Sequence, residues 1–253
     1  MPAADEPDEF ETAPHLPPAR FVTFEGGEGV GKSTQIRRLL GHLARLGVAA
    51  VRTREPGGTP KAEAIRSFIL QGRSEEWGAA AEAVLFAAAR HDHVMQLIVP
   101  NLEAGKWVLS DRFADSTRAY QGLTGGVDDK TIDALEELAL DGHQPDLTFL
   151  LDMEPEAAFR RVAQRAEEDG VPTVPDRFEK EGIEYHRRLR DGFLTIAVRN
   201  PGRCVVVAAD GDENAVAAEI WRIVRERFPE LTDLDEHVAV NGHAQDGFAG
   251  SGE

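Results

Sequence analysis

Short apolar runs alternate along the chain with longer stretches in which apolar residues recur every three or four positions. Residues 20–25 (RFVTFE) read as a strand entering a glycine-rich turn. Residues 33–46 follow with Ile36, Leu39, Leu40 and Leu43 at i, i+3, i+4 and i+7, the spacing of one helix face, and Gly47 stops them. Residues 49–54 give a second strand. A long helical stretch spans about 79–104, with Val84, Leu85, Ala88, Met95, Ile98 and Leu102 as its expected buried stripe. Residues 107–110, 147–152 (LTFLLD) and 205–208 give three more strands. Short, fully apolar strands suit a parallel sheet covered on both faces. Strands alternating with helices predict a doubly wound α/β domain with five parallel strands and right-handed crossovers. The segment 166–176 (AEEDGVPTVPD) breaks the pattern with two prolines, a glycine and a run of acids, and reads as a loop. Such a loop is a lid in an enzyme and otherwise a surface insertion.

Charge divides the chain differently. Of its 253 residues, 45 are Asp or Glu and 28 are Lys or Arg, a formal net charge of −17. Five acids and no Lys or Arg fall in 1–19, and five acids and no Lys or Arg in 231–253. Both ends are therefore expected to be disordered acidic tails around a folded domain at 20–230. So acidic a chain is a poor partner for nucleic acid or an anionic membrane surface. There is no apolar run of membrane-spanning length, and the acidic N-terminus lacks the basic start and apolar stretch of a signal peptide. One cysteine, Cys204, excludes an intramolecular disulfide and a cysteine-based metal site. The expectation is a cytoplasmic protein.

The turn after the first strand carries the chemistry. Residues 26–33 (GGEGVGKS) fit G-x-x-x-x-G-K-[ST] between a strand and a helix. Glycines let backbone N–H groups point inward around phosphate oxygens, and the next helix presents its positive N-terminal end. Lys32 is placed to reach the β- and γ-phosphates, and the Ser33 hydroxyl to hold Mg²⁺. Gly26, Gly27, Glu28, Gly29, Val30, Gly31 and Thr34 complete the expected ATP-binding set. Asp111 ends a strand, where a second metal-side carboxylate belongs, or it caps the helix that follows. Arg112 beside it would present a planar fork to a phosphate.

At this point the chain resembles the thymidylate kinases, P-loop enzymes that phosphorylate dTMP to dTDP with ATP and Mg²⁺ in dTTP synthesis. FEGGEGVGKST (24–34), TREPGGTP (53–60), LFAAAR (85–90), VLSDRFADSTRAYQG (108–122), PDLTFLLD (145–152) and DRFE (176–179) match in family order. The resemblance assigns acceptor roles. Phe86 stacks on thymine, and Arg90, one helical turn away on the same face, holds the acceptor nucleotide. Arg112 takes the acceptor phosphate, with Arg54 reaching toward it. Thr117 meets the thymine edge, Tyr120 lies under the sugar, and Ser116 and Gln121 are polar neighbours. Glu28 faces the sugar 3′-hydroxyl, and Glu55 is a ligand or brace near the metal. Without the resemblance, Phe86 reads as ordinary core.

The phosphate loop contains no arginine, so the resemblance implies that a lid at about 161–177 supplies the catalytic charge. Arg165 and Arg177 are the expected residues, Arg177 the better anchored by its motif, while Arg161 reads as a solvated helix charge. Family likeness also implies a homodimer. Two other functions stay open at this level. A related nucleoside or nucleotide kinase would accept a different substrate, with Glu55 as base if that substrate is a neutral hydroxyl. A nucleotide-binding module without turnover is the second. His91 and His93, two apart on a helix, face different ways and make a poor metal pair.

Overall fold

The computed structural model describes residues 17–169, 177–232 and 234. Five strands form one sheet: β1 (Phe21–Glu25), β2 (Ala50–Arg54), β3 (Trp107–Asp111), β4 (Leu147–Asp152) and β5 (Cys204–Ala208). Their order is β2-β3-β1-β4-β5 and every pairing is parallel. The doubly wound expectation is met, with each strand within a residue of its expected start and end. Because β1 is central with β3 on one side and β4 on the other, the chain reverses its winding there. A crevice opens at the carboxyl ends of such strands.

Alternation along β1 sends Val22 and Phe24 to one face and Phe21 to the other. On the first face they join Leu109, Phe149 and Leu151 under α1 (Lys32–Arg45) and α9 (Glu213–Arg227), which contribute Ile36, Leu39, Leu43, Ile220 and Val224. On the second, Phe21 and Val108 pack with Val94 and Ile98, and Leu150 with Leu189, Phe193 and Ile196 of α8 (Ile183–Arg199). Thr23 and Thr148 on this face satisfy each other through a 2.7 Å hydroxyl–hydroxyl bond.

α2 spans Pro60–Leu70 and α3 Gly78–His93. The helical path of α3 continues through a π-wound turn, Val94–Ile98, into α4 (Val99–Glu103), so the long helix is present but locally underwound. Its buried stripe differs from the expectation. Val84, Ala88 and Met95 are exposed, Leu85 and Leu102 half-buried, and only Ile98 is fully inside. The inward face instead carries Ala83 and Ala87 with Glu82, Arg90 and His93, three polar groups that periodicity assigns to solvent. α5 (Ala114–Thr117) runs into a second π-wound stretch, Arg118–Thr124, and α6 spans Asp129–Leu140.

α7 spans Pro155–Asp169, so 166–169 of the expected loop are helical, and 170–176 lie outside the described residues. The packed chain also exceeds 20–230. Pro17 is buried, the Pro18 carbonyl accepts from Trp107 Nε1 at 3.0 Å, and Leu231 is fully buried with Leu234 against the same core. The remaining parts of both expected tails, 1–16 and 235–253, lie outside the described residues. Among the described residues, no helix is long and apolar enough to cross a membrane.

Candidate active site

The carboxyl ends of β1, β2 and β3 open onto a cleft of about 340 Å³. The phosphate loop forms its floor on one side. Gly26, Gly29 and Gly31 all have positive φ, which lets the loop fold tightly. At Gly26 a Cβ would collide with the Leu151 carbonyl, so the loop lies directly on β4. A Cβ at Gly29 would lie 2.7 Å from the Ala158 carbonyl, which brings α7 against the loop. Val30 faces the core, so its side chain anchors the loop and only its backbone is available to a ligand. Lys32 Nζ donates to the Gly27 carbonyl at 2.6 Å and the Gly26 carbonyl at 3.2 Å, spanning the cradle it is meant to fill with phosphate. Burial lowers the Lys32 pKa, and the nearby Arg112 charge adds to the effect. Ser33, Thr34 and Gly31 line the cleft beside it.

Ser33 Oγ donates to Asp111 Oδ2 at 2.6 Å. A hydroxyl and a carboxylate meeting at the end of β3 form a hard-oxygen pair that suits Mg²⁺, which takes one or two carboxylates and completes its shell with water and phosphate. Asp111 is thus at the cleft rather than capping α5, whose first turn is served by another carboxylate. Glu25 Oε1 accepts from Phe113 N at 2.7 Å and Ser116 N at 3.3 Å, and Ser116 Oγ donates to Oε2 at 2.7 Å. Burial, then the Asp115 charge, push the Glu25 carboxyl up to about 8.

Those contacts hold Arg112 in an unusual backbone. Its φ is 69°, left-handed for a residue with a side chain, and it persists because both flanks are pinned. Arg112 N donates to the Phe24 carbonyl at 2.9 Å, and Ser110 Oγ donates to the Arg112 carbonyl at 2.8 Å. The turn throws the guanidinium back over the phosphate loop, where Nη1 donates to the Gly26 carbonyl at 3.0 Å and Ser116 Oγ at 3.2 Å. Nη2 pairs with Glu28. The Tyr120 hydroxyl donates to the same Glu28 oxygen at 3.2 Å, and Arg112 lies over the Tyr120 ring at 5.3 Å. Burial pushes the Glu28 carboxyl up, but Arg112 and then Lys32 outweigh it and pull it down to about 2. Burial raises the Tyr120 phenol, so it stays a hydrogen-bond donor.

The opposite wall is the acceptor side. Phe86 and Arg90 both line it, as their shared helix face requires. Arg90 is buried, with Nε donating to Glu55 Oε2 at 2.8 Å and Nη2 to the Phe113 carbonyl at 3.2 Å and Thr117 Oγ1 at 3.0 Å. Both Glu55 oxygens are taken, one by Arg90 and one by His93, so Glu55 is a brace for Arg90 and not a metal ligand or a free base. Gln121 Nε2 is turned toward Glu82 at 3.4 Å, which leaves Oε1 buried without a partner among the described residues. An orphaned acceptor in a cleft wall invites a donor from a ligand. Arg54 lines the outer rim, half-exposed and paired with Glu63 at 3.1 Å.

The two lid arginines separate. Arg165, on α7, lines the cleft and lies 3.9 Å from Glu213. Arg177 does not line it. It pairs with the buried Glu82, with Glu75 3.9 Å from its Nε, and its ring contact is with Phe178. The motif that made Arg177 the better anchored choice therefore builds a strut against α3. Arg161 is no solvated charge either. It donates to the carbonyls of Ala209, Asp210 and Gly211 at 2.7–3.0 Å and fixes the turn after β5.

Three contributors escaped the sequence reading. Arg52 lines the cleft 3.9 Å from Asp111, and its spacing of two from Arg54 on a strand was a usable signal. Glu25 and His93 gave none, since neither periodicity nor a motif exposes a buried polar contact.

Comparison with known proteins fits this geometry. A family model for thymidylate kinase matches residues 24–220. A thymidylate kinase of Nitrobacter winogradskyi is 51% identical over 208 residues, 82% of this chain and 89% of that protein. One of Rhodopseudomonas palustris is 50% identical over 212 residues, 83% and 90% of the two chains. The crystal structure of thymidylate kinase from Ehrlichia chaffeensis superimposes with a TM-score of 0.65 at 34% identity, covering 82% of this chain and all of that one.

Proposed function

The chain belongs to the thymidylate kinase family, and from that premise we propose how this cleft phosphorylates dTMP. ATP enters over the phosphate loop, and dTMP enters between Phe86, Arg90 and Tyr120. The observation that carries this reading is the meeting of the two sides at Arg112, which touches the phosphate loop through Gly26 and Glu28 and the acceptor wall through Ser116 and Tyr120.

The acceptor phosphate oxygen is already anionic, so transfer needs no general base. Positioning and charge neutralisation carry the rate. Lys32 leaves its two loop carbonyls for the β- and γ-phosphates. Arg112 exchanges part of its contact with Glu28 for the acceptor phosphate, and Glu28 then faces the sugar. Arg90 fixes the acceptor through its remaining N–H groups, and the orphaned Gln121 Oε1 is free to accept from the thymine N3–H. Arg165 supplies the lid charge. Ser33 and Asp111 would hold Mg²⁺, which would offset the charge of the phosphates. We assign no catalytic role to Arg177.

Two further parts of the reading concern the whole molecule. Exposed Val84, Ala88 and His91 on α3 and Met95 in the turn after it follow helical spacing, a largely apolar stripe that a second copy would cover. We propose a homodimer through it, and light scattering on Val84→Arg should report a monomer. A cytoplasmic protein with neither nucleic acid nor a membrane as partner is the part of the reading that the chain's acidity supports.

The test is an acceptor panel. ADP release is measured with dTMP, dUMP, dCMP and thymidine. The reading predicts dTMP as the best acceptor and thymidine as none. Preference for thymidine would instead make this a nucleoside kinase, and ATP binding without acceptor-dependent release would make it a binding module.

A further inference from the structure

His93 ends α3 underneath the turn that leaves β2. Its ring is fully buried. Nδ1 lies 2.9 Å from Glu55 Oε1 and Nε2 2.6 Å from Thr53 Oγ1. A carboxylate only accepts, so Nδ1 carries the hydrogen facing Glu55, and the Thr53 hydroxyl can donate to Nε2. Gly58 closes the ring in, since a Cβ there would lie 2.6 Å from both Cδ2 and Nε2. The series Thr53, His93, Glu55, Arg90, Thr117 is thus a continuous run of buried polar groups from β2, through α3, to α5.

The point that needs explaining is how Glu55 meets Arg90. A free carboxylate pairs with a guanidinium through two parallel bonds. Here Oε1 is given to His93, so only Oε2 reaches Arg90, at Nε. That leaves Nη2 for the Phe113 carbonyl and Thr117, and Nη1 without a partner among the described residues. Without the imidazole, Oε1 would turn to the guanidinium, compete for Nη2 and rotate the fork away from the cleft.

We propose that His93 is a positioning residue for the acceptor nucleotide, holding Glu55 to a single bond with Arg90. This rests on Arg90 as an acceptor ligand. The test compares steady-state kinetics of His93→Leu, His93→Asn and Thr53→Val, each also in an Arg90→Ala background, with thermal melts alongside. His93→Asn keeps an N–H near the place of Nδ1, whereas leucine keeps none. His93→Leu should raise KM for dTMP about tenfold or more, the scale of one lost charge-assisted hydrogen bond, and leave KM for ATP within about twofold. His93→Asn should recover most of that loss. Thr53→Val, the mildest change, should move KM for dTMP in the same direction by about two- to fivefold, and it decides the matter if the leucine variant does not fold. In the Arg90→Ala background none of the three should add further to KM for dTMP. Equal rises in both KM values, asparagine no better than leucine, or effects that add to Arg90→Ala would overturn the proposal. If Arg90→Ala alone leaves KM for dTMP unchanged, the Arg90 reading fails first and takes the His93 proposal with it.

Discussion

Glu28 is an acid inside an anion-binding loop, and replacing it with glutamine measures why it is there. Its carboxyl is drawn from an ordinary value of 4.5 to about 2, chiefly by Arg112 and then Lys32 against the cost of burial. That difference favours the ionised over the protonated form by about 3 kcal/mol in the folded chain. Glutamine is close to an isostere of the protonated acid, so Glu28→Gln should lose a stability of that order at pH 7. The folded-state pKa is the depressed one. The contribution is therefore complete above the unfolded value of 4.5 and disappears as pH falls toward 2. Urea denaturation of both proteins without nucleotide should show a gap of about 3 kcal/mol at pH 7, smaller by about a quarter at pH 4. Polyphosphate can replace the missing negative charge, so saturating ATP should narrow the gap at pH 7. A variant as stable as wild type at pH 7, or a gap that widens on acidification, would refute the reasoning.

Arg165→Ala should lower kcat by about a hundred- to a thousandfold with little change in stability, while Arg177→Met should leave kcat within a few-fold and cost about 3 kcal/mol or more of stability by stranding the buried Glu82. The opposite pattern, in kinetics and urea melts, would return the catalytic role to Arg177. Glu25 has a folded pKa of about 8 against an ordinary 4.5, so the folded chain holds its proton more firmly and loses stability as pH rises between those values. Glu25→Gln should flatten the stability profile from pH 5 to 8, and an unaltered slope would contradict this assignment. Asp111→Asn should raise the Mg²⁺ concentration for half-maximal turnover about tenfold or more, measured by titrating magnesium at fixed ATP, and an unchanged requirement would remove Asp111 from the metal site.

Much of this architecture is legible in the sequence because its signals are local. Five short apolar strands, a glycine-rich turn ending in Gly31-Lys32-Ser33 and the α1 stripe each declare themselves within a few residues. The acceptor wall was legible through the family resemblance, and the structure brings Phe86, Arg90, Arg112, Ser116, Thr117, Tyr120 and Gln121 to one cleft. What escaped is set by long-range pairing. Periodicity assigns Glu82, Arg90 and His93 to solvent and Val84, Ala88 and Met95 to the core, and the fold inverts this because α3 carries a buried polar network on one side and an uncovered apolar stripe on the other. Arg177 shows the same limit: its motif marks a needed residue, and its pairing with Glu82, far away in sequence, is visible only in the fold. Glu25 takes the helix start that local sequence would give to the nearer Asp111.

The most direct test of the central claim follows both products of one reaction. With ATP, Mg²⁺ and dTMP, ADP and dTDP should appear in equal amounts from the first turnovers. Omitting dTMP or supplying thymidine should stop ADP release. ADP formed in excess of dTDP, or released with thymidine as acceptor, would contradict a cleft that aligns two anionic nucleotides and excludes water between them.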